Sequence, residues 1–321
     1  MAGDRTISLA LLLLALLLGG PVRADITVTE YPLPEGVGAH DVAPAPDGGV
    51  WFTAQAKGAL GRLDPATGHV DLLPLGKDSA PHGVIVGPDG AAWITDGGLN
   101  AIVRVDAATH EIKRFPLPGG RDYANLNTAV FDRARILWFT GQDGVYGRLD
   151  PQGGQMKVWE APRGTGPYGI TVAGAGIFYA SLAGNYLGRI DPATGVATVI
   201  EPPTPQAGPR RAWADSHGRI WVSEWQGGNL ARYDPETREW HSWHLAGTHP
   251  QVYAVFVDDH DVVWLSDWGA NAVLRFDPAT EQFQPFPFKT KEAGVRQILG
   301  RPGEVWAAES GADRLVVYRT K

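Results

Sequence analysis

Trp264-Leu-Ser-Asp-Trp-Gly-Ala-Asn-Ala-Val-Leu-Arg-Phe-Asp277 is the clearest copy of a pattern that recurs seven times along the chain. Its first tryptophan precedes Arg275 by eleven residues, and the same interval separates Trp51 from Arg62, Trp93 from Arg104 and Trp221 from Arg232. Phe178 stands in for the tryptophan before Arg189, Trp138 reaches Arg148 one residue early, and Trp306 reaches Val317. The anchors at 51, 93, 138, 178, 221, 264 and 306 lie 42, 45, 40, 43, 43 and 42 residues apart. A period of that length, filled with short strands, is the signature of propeller blades. The fold expected is therefore all-β, a seven-bladed β-propeller.

Working outward from the anchors, a turn recurs between the third and fourth strands of each repeat, as in Asp64-Pro-Ala-Thr-Gly68 and Asp191-Pro-Ala-Thr-Gly195. Asp accepts nearby backbone N–H groups there, and Pro presets φ. The last repeat stops after three strands, while Ile26-Thr-Val-Thr-Glu-Tyr-Pro-Leu-Pro34 resembles the strand that ends the others. An N-terminal strand completing the last blade would close the ring and hide the sheet edges. Anchor strands such as Val263-Trp264-Leu265 are apolar on both faces, which suits strands wedged between blades. Their tryptophans read as core, not as ligand contacts.

Composition narrows the partners. The chain of 321 residues has no Cys, so disulfides and thiolate chemistry are excluded, and its net charge of −7 argues against nucleic acid or anionic membrane as a partner. Arg5, the apolar run Ile7 to Leu18 and the ending Val22-Arg23-Ala24 read as an export signal over residues 1–24, too short to span a bilayer. Residues 25–321 form the single propeller domain, expected to be periplasmic or extracellular, free of the membrane after cleavage, and monomeric.

Function is expected at the mouth of the central channel, where inner strands start and second strands end. The inner-strand position, ten or eleven residues before each anchor, reads His40, His82, Asn127, Tyr168, Arg210, Tyr253 and Arg296, with mostly apolar residues just after it. Three residues after the anchors, the last three blades place Glu224, Asp267 and Glu309, suited either to a divalent cation or to pairing with Arg210 and Arg296. Trp225 and Trp268 follow one residue later, in loops, as a ligand platform.

Pro81-His-Gly-Val84, Trp51-Phe-Thr-Ala54, Trp268-Gly-Ala-Asn271 and Gly188-Arg-Ile190 together resemble the virginiamycin B lyase (streptogramin B lyase) family of seven-bladed propellers, along the whole mature chain. The resemblance implies a lyase that opens a cyclic depsipeptide by elimination, with a last-blade histidine as base and Mg²⁺ held by glutamates. This chain departs from that pattern. The family's Glu-Pro-His-Gly-Ile corresponds to Gly294-Val-Arg296-Gln-Ile298, so an arginine that cannot accept a proton replaces the base, and a glycine replaces a metal ligand. The family's other mouth histidine corresponds to Tyr253. Histidines stand instead in the first two blades, making His82 and His40 the candidate bases. Three readings stay open: a lyase on an ester or lactone; a non-catalytic propeller whose arc of Arg210, Tyr253, Trp225, Trp268 and Arg296 holds an anionic or aromatic ligand, a small molecule or cyclic peptide; and a metal-dependent lactonase.

Overall fold

The computed structural model describes residues 26–120, 123–174 and 176–320, and its strands fall into seven antiparallel four-stranded sheets. Six are continuous in sequence, the first being Ala39–Pro44, Val50–Ala54, Ala59–Leu63 and Val70–Pro74. The seventh takes Val295–Arg301, Glu304–Glu309 and Arg314–Thr320 and is completed by Ile26–Pro32. That strand pairs with the C-terminal one from Ile26 opposite Thr320 to Pro32 opposite Arg314, so the ring closes through a ladder between the chain ends. The segment 1–24 lies outside the described residues. No described helix is long and apolar enough to cross a membrane.

The eleven-residue interval is a cross-strand pair. Trp51 faces Arg62, Trp93 faces Arg104, Trp221 faces Arg232 and Trp264 faces Arg275 across the second and third strands. The arginine lies over the indole at 4.4 Å in the first blade and 5.4 Å in the fifth, a cation–π contact. Four of the indole N–H groups are also satisfied by aspartates: Trp93, Trp138, Trp221 and Trp264 donate to Asp89, Asp132, Asp215 and Asp258, whereas that of Trp51 has no partner among the described residues. The six anchor tryptophans are at most 2% exposed, each contributing roughly 2–3 kcal/mol by burial. The recurrent turn works as expected, with Asp64 accepting the Ala66 N–H at 2.9 Å and the Thr67 hydroxyl at 2.8 Å.

What positions the site is a bulge near the start of every inner strand. Register breaks between Ala39 and Val42, Pro81 and Gly83, Leu126 and Ala129, Pro167 and Ile170, Pro209 and Ala212, Val252 and Val255, and Val295 and Ile298. A bulge re-aims side chains and suspends the alternation of faces. In five blades it is pinned by a hydroxyl two residues after the anchor. Thr53, Thr95, Thr140, Ser223 and Ser266 accept the N–H of Asp41, Gly83, Thr128, Arg211 and Ala254. The same hydroxyls donate to carbonyls of the next blade, at His82, Asn127, Tyr168, Tyr253 and Val295. One small side chain thus holds the bulge and staples two blades.

Candidate functional site

Contacts between blades that are not neighbours show which side chains meet across the axis. The Tyr168 and Tyr253 hydroxyls, from the fourth and sixth blades, lie 2.5 Å apart. Arg211 of the fifth blade reaches Asp41 of the first at 3.1 Å. All seven residues of the expected inner ring are therefore at or beside the channel, but they form two layers.

The outer layer is a stack. The Arg296 guanidinium lies 5.0 Å from the Trp268 ring centroid. Trp268 stacks on Tyr253 with centroids 5.2 Å apart and planes 21° apart. Arg210 covers Tyr253 at 3.5 Å. Trp225 stands nearly perpendicular to Tyr253 and Trp268, at 81° and 83°, and takes Arg210 at 4.4 Å from its own ring. Trp268 is held by its Nε1–H, which donates to the Val295 carbonyl at 2.7 Å. Arg210, Arg296, Trp225 and Trp268 are all partly exposed. Among the described residues neither guanidinium pairs with a carboxylate, and Arg210 Nε has no partner. Two positive charges therefore lie flat on aromatic faces, un-neutralised, at the mouth.

The inner layer is buried: Tyr253 and Asn127 are 0% exposed, Tyr168 3%, His40 5% and His82 7%. Burial would push the Tyr168 phenol up, but the Arg210 and Arg211 guanidiniums outweigh it and hold it below its ordinary value. Burial and the adjoining Tyr168 push Tyr253 up to about 12. His40 donates through Nδ1 to Asp41 at 2.8 Å, and Arg211 donates to the same carboxylate oxygen. Arg211 also donates to the Thr128 hydroxyl at 2.6 Å, which donates to Asn127 Oδ1 at 2.7 Å. The Asn127 amide N–H meets His82 Nε2 at 3.1 Å, and His82 Nδ1 meets the Asn127 carbonyl at 3.1 Å. Both nitrogens of His82 are thus engaged by one residue. His82 in turn packs on His40 with ring centroids 3.9 Å apart, which completes the circuit. Burial, then Arg211, Arg296 and Arg210, keep the His40 pKa well below the usual imidazole value, and burial followed by His40 does the same for His82. Both rings are neutral at pH 7.

Asp41, Thr128, Arg211 and Gln297 were not anticipated as site residues, since the positions after the ring read as mostly apolar. They are the second residues of their bulges, and they floor the mouth. Beyond them lies a small space walled largely by apolar side chains such as Val84, Ile170, Trp213, Val255 and Leu299.

The carboxylates expected to form an arc do not meet there. Asp267 accepts the N–H groups of Gln251 and Gly269 at 2.8 and 2.9 Å. Glu224 accepts from the Asn229 amide at 2.6 Å. Glu309 has one oxygen with no partner, and burial pushes its acid up to about 7. None pairs with Arg210 or Arg296, which corrects the expected internal pairing. The reason is position: the second strand lies one ~4.8 Å strand spacing further from the axis than the first. Among the described residues, three potential metal-ligating atoms come within 4.8 Å of one another only at His40, Asp41 and His82, and at Asp258, Asp259 and His260. At the first of these, Arg211 already occupies the Asp41 carboxylate.

Solved structures share this architecture. A selenomethionine-substituted virginiamycin B lyase from Staphylococcus aureus superposes with a TM-score of 0.85 at 21% identity, covering 92% of this chain and 100% of that one. A streptogramin B lyase gives 0.83 at 23%, covering 92% and 98%. YCF48 bound to D1 peptide gives 0.71 at 15%, covering 92% and 97%. These likenesses establish the fold. No curated protein matches the chain. Its sequence does match the model of the virginiamycin B lyase family over residues 20–242, more than half its length, and on that match it belongs to the virginiamycin B lyase family.

Proposed function

We propose that this chain is a ligand-binding member of its family whose channel mouth takes an anionic ligand bearing a flat ring, without a divalent metal. The observation that carries this reading is the Arg296–Trp268–Tyr253–Arg210 stack, in which both guanidiniums lack a carboxylate. Stacking occupies the flat face of a guanidinium and leaves its in-plane N–H donors at the edge, of which Arg210 gives one to the Tyr168 hydroxyl at 3.4 Å; the remaining donors suit a carboxylate. Trp225 offers an aromatic wall beside them. The donor set does not fit Mg²⁺, which wants several oxygens around one point. Glu224, Asp267 and Glu309 do not converge, and the His40–Asp41–His82 group lies in the field of Arg211, Arg296 and Arg210. Calorimetric titration of the mature protein with 3-phenylpropanoate tests the reading. Binding that persists in EDTA and weakens at least tenfold in Arg210→Ala and Arg296→Ala supports it. Binding that requires a divalent ion, or that ignores both substitutions, overturns it.

A second reading, elimination from an ester or lactone, is favoured by one observation: the Asp41 contact fixes the His40 proton on Nδ1 and leaves Nε2 as a base. A related structure, an inactive histidine-to-alanine virginiamycin B lyase of S. aureus, is described with quinupristin, at a TM-score of 0.85 and 21% identity. Incubation with quinupristin, followed by mass spectrometry for a ring-opened product absent with His40→Ala, decides this reading. We also propose export, supported by the apolar run Ile7 to Leu18 and the Val22-Arg23-Ala24 ending. Recovery from periplasm or medium of a chain beginning at Asp25 is the expected outcome.

A further inference from the structure

The buried circuit under the mouth leaves one ring nitrogen over as an acceptor. Arg211 donates to Asp41 and Thr128, Thr128 to Asn127, Asn127 to His82, and His82 back to the Asn127 carbonyl. His40 donates from Nδ1 to Asp41, and among the described residues no protein group donates to its Nε2. The circuit spans four blades and leaves His40 no freedom to exchange tautomers, because Asp41 is held by Arg211 and accepts only. A lone pair is therefore presented beneath the mouth, on a ring that reaches Arg210 through His82 and Tyr168, with His40–His82 centroids 3.9 Å apart, His82–Tyr168 centroids 6.1 Å apart and Arg210 5.0 Å from the Tyr168 ring.

We infer that His40 Nε2 is a second recognition point, which makes 2-hydroxy carboxylates bearing an aromatic ring the preferred ligand class: the carboxylate on the guanidiniums, the ring against Trp225, and the hydroxyl donating to His40. This rests on the anion-binding reading above. The donor is a hydroxyl and not an ammonium, because a cation placed there would face the guanidiniums of Arg210, Arg211 and Arg296. A carbonyl at the same carbon would set acceptor against acceptor, and a methylene would leave the nitrogen unpaired. The depressed basicity of His40 keeps Nε2 unprotonated near neutral pH.

Three probes of one shape separate the possibilities: 3-phenyllactate, 3-phenylpropanoate and phenylpyruvate, titrated calorimetrically into the mature protein. Phenyllactate should bind on the order of tenfold more tightly than phenylpropanoate, with phenylpyruvate weakest. His40→Ala should remove the preference for phenyllactate over phenylpropanoate. Should that variant fail to fold, nitrogen-15 NMR of the unsubstituted protein reads the tautomer directly, and a protonated Nε2 overturns the inference. Equal binding of phenyllactate and phenylpropanoate also overturns it while leaving the anion site standing, whereas binding of none of the three overturns both.

Discussion

Replacing Glu309 by glutamine should stabilise the protein at about pH 8 and change little at about pH 5. Glu309 ends the second strand of the closing blade, with 1% exposure and one carboxylate oxygen lacking any partner. Burial, with a smaller contribution from Glu30, raises its acid from 4.5 to about 7, against the opposing charge of Arg314. The unfolded chain releases this proton near 4.5 and the folded chain holds it to about 7. Between those values the folded state binds more protons, so stability is full below the lower one and falls as pH rises through the upper. Once the group is ionised in both states the cost is about 3 kcal/mol. Glutamine has nearly the same shape and never ionises, so it removes that cost only where the acid would be charged.

Urea unfolding of both proteins at the two pH values reads the effect as a difference of differences, with the variant gaining about 3 kcal/mol at the higher pH. An equal difference at both pH values would refute the reasoning. The same samples test the acidic arc as a metal site. A carboxylate that binds Mg²⁺ in the folded state alone would let millimolar Mg²⁺ stabilise the unsubstituted protein and not Glu309→Gln. That result would also refute the assignment of Glu309 as a buried, metal-free acid.

Other perturbations probe the floor, the staples and the closure. Arg211→Met strands the Asp41 carboxylate, 1% exposed, and should cost about 3–5 kcal/mol in urea unfolding, most of it recovered when Asp41→Asn is added. Ser223→Ala removes the hydroxyl that accepts the Arg211 N–H at 2.9 Å and donates to the Tyr253 carbonyl at 2.6 Å, leaving two buried backbone groups unpaired at about 1–3 kcal/mol each. Deleting Ile26–Pro32 strips seven paired residues from the closing blade, and the product should elute as aggregate in size-exclusion chromatography.

The repeat made the fold legible because its period is a backbone property. Short strands with Trp and Arg opposite each other recur at a fixed interval whatever the mouth contains. The ring positions were legible for the same reason, each lying a constant distance before its anchor. Their neighbours were not. In a regular strand the residue after one that faces the channel points away, and Asp41, Thr128, Arg211 and Gln297 stand at that position. The bulge suspends that rule, so two consecutive residues serve the channel. A usable signal was present: four of the seven positions directly after the ring carry polar or charged side chains. The pairing expected between the acidic arc and the two arginines failed differently. Spacing along the chain told which end of the molecule Glu224, Asp267 and Glu309 occupy, but not their distance from its axis.

The staples also explain how a family can keep its fold while its mouth changes. In five blades the bulge is held by backbone N–H and C=O groups meeting a Thr or Ser hydroxyl on the second strand. The ring side chain contributes nothing to that hold, so His40, Asn127, Arg210 and Tyr253 are carried by equivalent backbone geometry. A ring side chain in those five blades can therefore change without disturbing its blade. The constraint falls instead on charge balance inside the channel. Arg211 is matched by Asp41, while Arg210 and Arg296 are matched by aromatic faces and, for Arg210, the Tyr168 hydroxyl, with no carboxylate among the described residues. Cation–π contact of ~1–2 kcal/mol supports a guanidinium without neutralising it. Such an arrangement is stable without a ligand and strengthened by an anion, as a binding mouth requires.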